Sequence, residues 1–322
     1  MRHRHLIPWF LPFVLCLACA GQKSADPGAW GSNHVGQPIP EYVHGDECLF
    51  CHRFNVGPGW QKNTHGITVR QAEDAPELAS LVTSQPALAA IAPQIDYVLG
   101  SRHHVRFLHK EGYGKFALLN TRADLGPGGK PQTWVNLEQP AWDKDKFADR
   151  CAGCHTTAVD PKTRAFTAFG LDCYVCHGDV SLDHTHDTST IWLSKKHQND
   201  ALSVTSICAQ CHLRAGHSKA TGLPYADNFV AGDNLFLDYQ ANFSKADDPA
   251  LNPGDRHVFE NVRDVVLNHG KATCLSCHRV HDQSTSKHRL VLTGPICLDC
   301  HNAMGHKKVV KTYIEHSEIC EY

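Results

Sequence analysis

The chain has 322 residues, a formal charge of −2 and an apolar share of 42%, enough for one large domain or two small ones. So neutral a balance points neither to a nucleic-acid partner nor to an acidic substrate. The unusual entries are 15 cysteines and 24 histidines against two methionines.

In chain order, residues 1–20, "MRHRHLIPWFLPFVLCLACA", open on Arg2 and Arg4, run apolar from Leu6 to Leu17 and end on small residues. The stretch reads as a secretory signal, too short and too quickly polar for a permanent membrane span. Two processing outcomes stay open: cleavage after Ala20, or lipidation of Cys19 in a lipoprotein-like signal, with Cys16 as the departure from that pattern. Either sends the chain out of the cytoplasm, to a periplasm, an outer-membrane anchorage or the cell surface. Residues 21–44 are rich in Gly, Pro and polar residues and predict an extended tether.

Residues 45–150 hold a first C-x-x-C-H motif followed by an α/β segment without one. "CLFCH" stands at 48–52 and His65 follows within reach of a short helix. "APELASLVTSQPALAAI" has helical spacing. "HVRFLHKEGYGKFALLNTR" places two strand-like runs around a Gly-containing turn, a β-hairpin.

Residues 151–322 form a region of five further C-x-x-C-H motifs. "CAGCH" at 151–155 and "CYVCH" at 173–177 start 22 residues apart, "CAQCH" stands at 208–212, and "CLSCH" at 274–278 and "CLDCH" at 297–301 start 23 apart. Such close pairs leave too little chain to separate two bound groups with protein. The stretch from 218 to 256 is a polar insertion bearing Gly and Pro.

The six motifs use twelve of the thirteen cysteines beyond the signal and leave Cys320 alone. A histidine after each of six independent C-x-x-C pairs has a chance probability on the order of 10⁻⁷, which singles out c-type haem attachment. Two residues between the cysteines let both sulfurs reach one edge of a porphyrin, and the next side chain turns beneath the ring onto the iron. Zinc bound by paired C-x-x-C has no need of that histidine, and a C-x-x-C disulfide would be reducible without specifying it. Six haem c groups are therefore expected, on Cys48 and Cys51, Cys151 and Cys154, Cys173 and Cys176, Cys208 and Cys211, Cys274 and Cys277, and Cys297 and Cys300. The proximal iron ligands would be His52, His155, His177, His212, His278 and His301.

Sixteen histidines remain outside the signal and the motifs, whereas Met304 is the sole methionine beyond Met1. Most irons should then carry two histidines, and the lack of methionine ligation argues for low potentials. The distal candidates are His65, His104, His184, His217, His269, His281 and His316, each read equally as a surface or hydrogen-bonding imidazole. With roughly 50 mature residues per haem, the expected fold is short α-helices and irregular loops around a haem stack, with a small β-hairpin, and little conventional core.

"GDECLFCHRFNVGPGWQKNTHG", "YVLGSRHHVRFLHKEGYGKFALL", "GLDCYVCHGDVSLDH" and "HVFENVRDVVLNHGKATCLSCHRVH" resemble segments of multihaem c-type cytochromes of bacteria, in the cytochrome c554-related family. The resemblance spans most of residues 45–301. It favours His104 over His103 and supports His269 and His281 as ligands. Asp179-Val180 departs from the Pro-Gly common in that family. The resemblance implies exported electron transfer, with a quinol-oxidising membrane cytochrome, a terminal reductase or a cell-surface acceptor as redox partner. The competing reading is a reductase of a small nitrogen or sulfur oxyanion with one open iron and an anion pocket of Arg102, Arg106, His281 and Arg289; no lysine-ending variant motif marks such an iron. A third reading, chains bridged through Cys320, rests on that cysteine alone.

Overall fold

The computed structural model describes residues 45–282 apart from 102, 127–129, 161, 179, 181–183, 187, 189–190, 194–199, 227–228, 252 and 277. The signal segment with Cys19, Arg102, Cys277, Arg289, the sixth motif with Cys297, Cys300 and His301, and also His316 and Cys320, lie outside the described residues.

Two short helices open the chain, α1 (Gly45–His52) and α2 (Gly57–Trp60). An antiparallel sheet follows, built from β1 (Val69–Gln71), β2 (Tyr97–Leu99), β3 (His104–Gly112), β4 (Lys115–Leu125), β5 (Pro131–Val135) and β6 (Trp142–Asp143). Its path runs β1-β2-β3-β4-β5, with β6 pairing onto β4. The predicted hairpin is the β3–β4 pair, from His104↔Asp124 to Gly112↔Lys115, with Gly114 at φ +62° in its turn. A β-branched or bulky residue would be strained at that φ, and glycine is not.

Between β1 and β2 the chain forms α3 (Pro76–Ser84) and α4 (Pro86–Ala89), each begun by a proline at its first turn, where the missing N–H costs no hydrogen bond. Both helices lie on one face of the sheet. Leu81, Leu88 and Ile95 pack there against Val98, Val105, Phe107, Leu119 and Ala123. The opposite face buries Leu99, Leu108, Phe116 and Leu118 against Phe147, Ala152 and Phe166. Phe147 belongs to α5 (Lys146–Arg150) and Ala152 to α6 (Ala152–His155). An aromatic plate of Tyr97, Phe116, Phe147, Phe166 and Phe169, with ring centroids 4.4–6.3 Å apart, ties this face to the second motif. Edge-on aromatic pairs of this kind add about 1 kcal/mol each beyond burial.

The sheet overturns the expected fold class. A mainly helical haem stack with a minor hairpin is not what forms: a six-stranded antiparallel sheet with two dry faces is the principal core. The cause is visible in β4, "KFALLNTRADL", whose residues Phe116 to Leu119 are all buried. A strand covered on both faces loses the alternation of a half-exposed hairpin and can recruit further strands.

Beyond the sheet, β7 (Thr156–Thr157) and β8 (Ala168–Phe169) pair as a small ribbon between the second and third motifs, and α7 (Cys173–His177) follows. Helix α8 (Ala201–His212) ends in the fourth motif. The ribbon of β9 (Gly216–Ser218) with β10 (Tyr239–Ala241) and the helix α9 (Pro253–Asn268) enclose a third core of Ala209, Leu213, Leu235, Tyr239, Phe259 and Val262. Among the described residues no helix is long and apolar enough to cross a membrane.

Candidate functional site

Each of the five described motifs closes a helical turn on its histidine. The motif at 48–52 ends α1, that at 173–177 is α7, and that at 208–212 ends α8. At the other two, the His155 amide donates to the Cys151 carbonyl at 3.1 Å and the His278 amide to the Cys274 carbonyl at 2.9 Å. One turn brings residues i, i+3 and i+4 to one side, so in the four motifs with both cysteines described the two sulfurs and the imidazole share a face.

Local sequence sets these turns. The Asp172 carboxylate accepts from the Cys173 amide at the start of α7, and Gly178 at φ +74° ends it directly after His177. Asp200 accepts from the Leu202 and Ser203 amides at 3.0 and 3.1 Å and starts α8.

The motifs are brought together across long sequence separations. α1 packs on α7, α6 on α8, and α8 on the turn over 274–276, which sets the Cys48 thiol beside Cys173, Cys154 beside Cys211 and Cys208 beside Cys274. In each pair the neighbouring thiol favours one thiolate at the expense of the other: Cys48, Cys154 and Cys274 are lowered, Cys173, Cys211 and Cys208 raised. Backbone proximity agrees, since the Cys154 sulfur lies 3.8 Å from the Gln210 carbonyl and the Cys211 sulfur 4.0 Å from that of Gly153. Burial alone pushes Cys176 up to about 11, and burial is also the main cause of the same value at Cys151. The nine described cysteines are all free thiols.

Three motif histidines each face a histidine from outside the motifs. The ring centroids of His52 and His184 are 6.0 Å apart, those of His212 and His65 6.0 Å, and those of His177 and His281 5.7 Å. Two imidazoles across one iron, with metal–nitrogen bonds of about 2 Å and roughly another 1 Å to each ring centre, span about 6 Å. The residues present therefore fit an iron held between two imidazoles.

Protonation fits as well. Burial lowers His155 to about 4, with the Arg214 cation adding to it, and burial is the leading cause of the lowered values at His65, His177 and His281. The neutral ring is the form that ligates a metal. At His177 the tautomer is fixed as well: Nδ1 lies 2.6 Å from the Trp192 carbonyl oxygen, which only accepts, so Nδ1 carries the proton and Nε2 keeps its lone pair.

The other distal candidates lie elsewhere. His104 is half-exposed on β3, its Nδ1 2.7 Å from the Asp124 carboxylate, which Arg122 also holds. His217 is exposed on β9 and pairs in register with Gln240. His269 is exposed at the end of α9 with φ +55°. None of these three has a described ring contact with a motif histidine. Of the anion-pocket residues, His281 packs against His177, while Arg106 sits near Cys151, where its charge favours the thiolate. Asn63 and the Trp192 carbonyl also touch the histidine cluster, and no sequence pattern signals either.

No family model matches the chain, and no curated protein matches it. Among solved structures, the undecaheme cytochrome from the S-layer of Carboxydothermus ferrireducens is similar at 18% identity and a TM-score of 0.44, over 83% of this chain and 44% of that one. The chain thus spans under half the length of that protein.

Proposed function

We propose that the chain is an exported c-type cytochrome that carries six covalently attached haems and passes single electrons among them. The observation that carries this reading is the sixfold C-x-x-C-H repeat, and the three motif-to-outside histidine pairs at 5.7–6.0 Å support it. Haem, when attached, supplies a one-electron ferric/ferrous couple.

The chain's own residues divide the remaining work. The paired cysteines of each helical turn supply two thioether anchors on one face. Iron would be held by His52 with His184, by His177 with His281, and by His212 with His65. At His65, His177 and His281, desolvation favours the neutral ring, which keeps a lone pair to give. Around Cys151, the cations of Arg106, Lys146 and Arg150 provide partners for haem carboxylates. The packing of motif on motif draws neighbouring attachment edges together, so adjacent haems would exchange electrons without a diffusing carrier. The arrangement calls for a redox protein as donor and another as acceptor, and an exported compartment is the one in which the leader "MRHRHLIPWFLPFVLCLACA" would place it.

The test is a haem count on the matured chain by denatured mass and pyridine haemochrome, with EPR of the ferric state and carbon monoxide binding to the ferrous state. Six attached haems, low-spin and indifferent to carbon monoxide, are expected. A chain matured beside a haem-attachment system that carries none overturns the reading, and a stoichiometric high-spin iron that binds carbon monoxide replaces a carrier with a reductase.

A further inference from the structure

Asn63 has 2% of its surface exposed and spends every polar atom of its side chain on the histidine cluster. Its amide nitrogen donates to the carbonyls of Val280 and Asp282, both at 2.7 Å. Its Oδ1 accepts from the His65 backbone amide at 2.9 Å and lies 3.1 Å from His65 Nδ1. The two carbonyls accept only, so they fix which end of the amide is nitrogen. Oδ1 must then face His65, and an acceptor at that place requires the proton on Nδ1. The lone pair of His65 is left on Nε2, the other edge of the ring.

The same side chain clamps the segment that carries His281. Residues 280 and 282, which Asn63 grips, flank that histidine. Gly59 closes against it so tightly that a Cβ there would lie 2.4 Å from the His281 carbonyl oxygen. Trp60 fills the space between, 6.5 Å from His65 and 6.4 Å from His281 by ring centroids. The backbone of His65 is pinned separately, its carbonyl accepting from Leu171 at 2.9 Å.

We infer that Asn63 is a positioning residue shared by two iron sites: it sets the tautomer of His65 for the His212 iron and holds His281 in place for the His177 iron. This rests on the haem reading above. It goes beyond that reading by making two ligand sets, supplied by segments more than 200 residues apart, depend on one amide.

Two variants of the matured holoprotein separate its functions. Asn63→Leu keeps the volume and removes both the acceptor and the donors. Asn63→Asp keeps the acceptor for His65 and removes the donors to residues 280 and 282. EPR spin quantitation and carbon monoxide titration should show two additional high-spin, carbon monoxide-binding haems per chain in Asn63→Leu and one in Asn63→Asp, relative to the parent. A residue that only stabilised the fold would lower the melting temperature and leave the spin states alone. Should Asn63→Leu fail to mature, Asn63→Asp alone still decides, by one additional open haem or none. Six attached haems with unchanged spin states in the variants overturn the role of Asn63 and leave the haem reading standing, whereas a parent chain without attached haem overturns both.

Discussion

Gly153, the third residue of the second motif, faces the ring of Tyr225, and a Cβ in its place would fall 2.1 Å from Tyr225 Cγ. The ring cannot swing aside freely, because its hydroxyl donates to the Ala148 carbonyl at 2.6 Å. Gly153→Ala should cost about 1–3 kcal/mol as an overpacked core substitution. Thermal melting should show the loss, and Tyr225→Leu in the same chain should restore most of it; an unshifted melting temperature for Gly153→Ala would mean the contact is not tight. At His184 the expected effect is spectroscopic. His184→Ala should convert the iron opposite His52 to high spin, and an unchanged ferric EPR spectrum would remove His184 from that site. His65, His184 and His281 are legible as candidates because each follows a motif closely. Asn63 is not, since its meaning depends on carbonyls 217 and 219 residues away. Nor does any pattern separate His104, which the fold turns to Asp124, from the histidines that meet a motif.

The elements divide the molecule's stability into a part that rests on protein atoms and a part that faces the attachment sites. Phe107 has no exposed surface and packs with Val98, Val105 and Leu119 beneath α3 and α4, on the sheet face away from the second motif. Phe107→Ala should cost about 3–5 kcal/mol in unfolding free energy while leaving the haem spectrum of the folded chain unchanged. Denaturant unfolding followed at both far-ultraviolet and haem wavelengths would test this, and a shifted haem band in the native baseline would contradict the separation. This face of the sheet contains no motif residue. The hairpin and the helices over 76–89 are legible from period and proline placement. The sheet's extent is not: β1, β2 and β6 are two or three residues long, too short for any periodicity to show. They become strands only because β2 and β6 find partners in β3 and β4, and β1 in turn pairs on β2.

For the whole molecule, the packing of motif-bearing turns defines which motifs are neighbours. The first motif adjoins the third, the second adjoins the fourth, and the fourth adjoins the fifth. Cys176 of the third motif is also close enough to Cys208 and Cys211 of the fourth to raise them both. Close spacing in the sequence suggests the second and third motifs as a pair, yet the fold joins each of them to a motif on another segment. The fourth motif, at the end of the capped and largely buried helix α8, is thus the junction of the described sites. If electrons follow these contacts, removing that one site divides the network. Cys208→Ser combined with Cys211→Ser should leave the first and third sites exchanging electrons with each other and isolate the second and the fifth. Stopped-flow reduction by a limiting one-electron donor is the measurement. The parent should equilibrate its haems in a single fast phase, and the variant should add a slow phase that speeds up with protein concentration, because the isolated sites then exchange electrons only between molecules. A variant that lost one haem and kept the single concentration-independent phase would show that the path runs through other sites, and the fourth motif would lose its place as the junction.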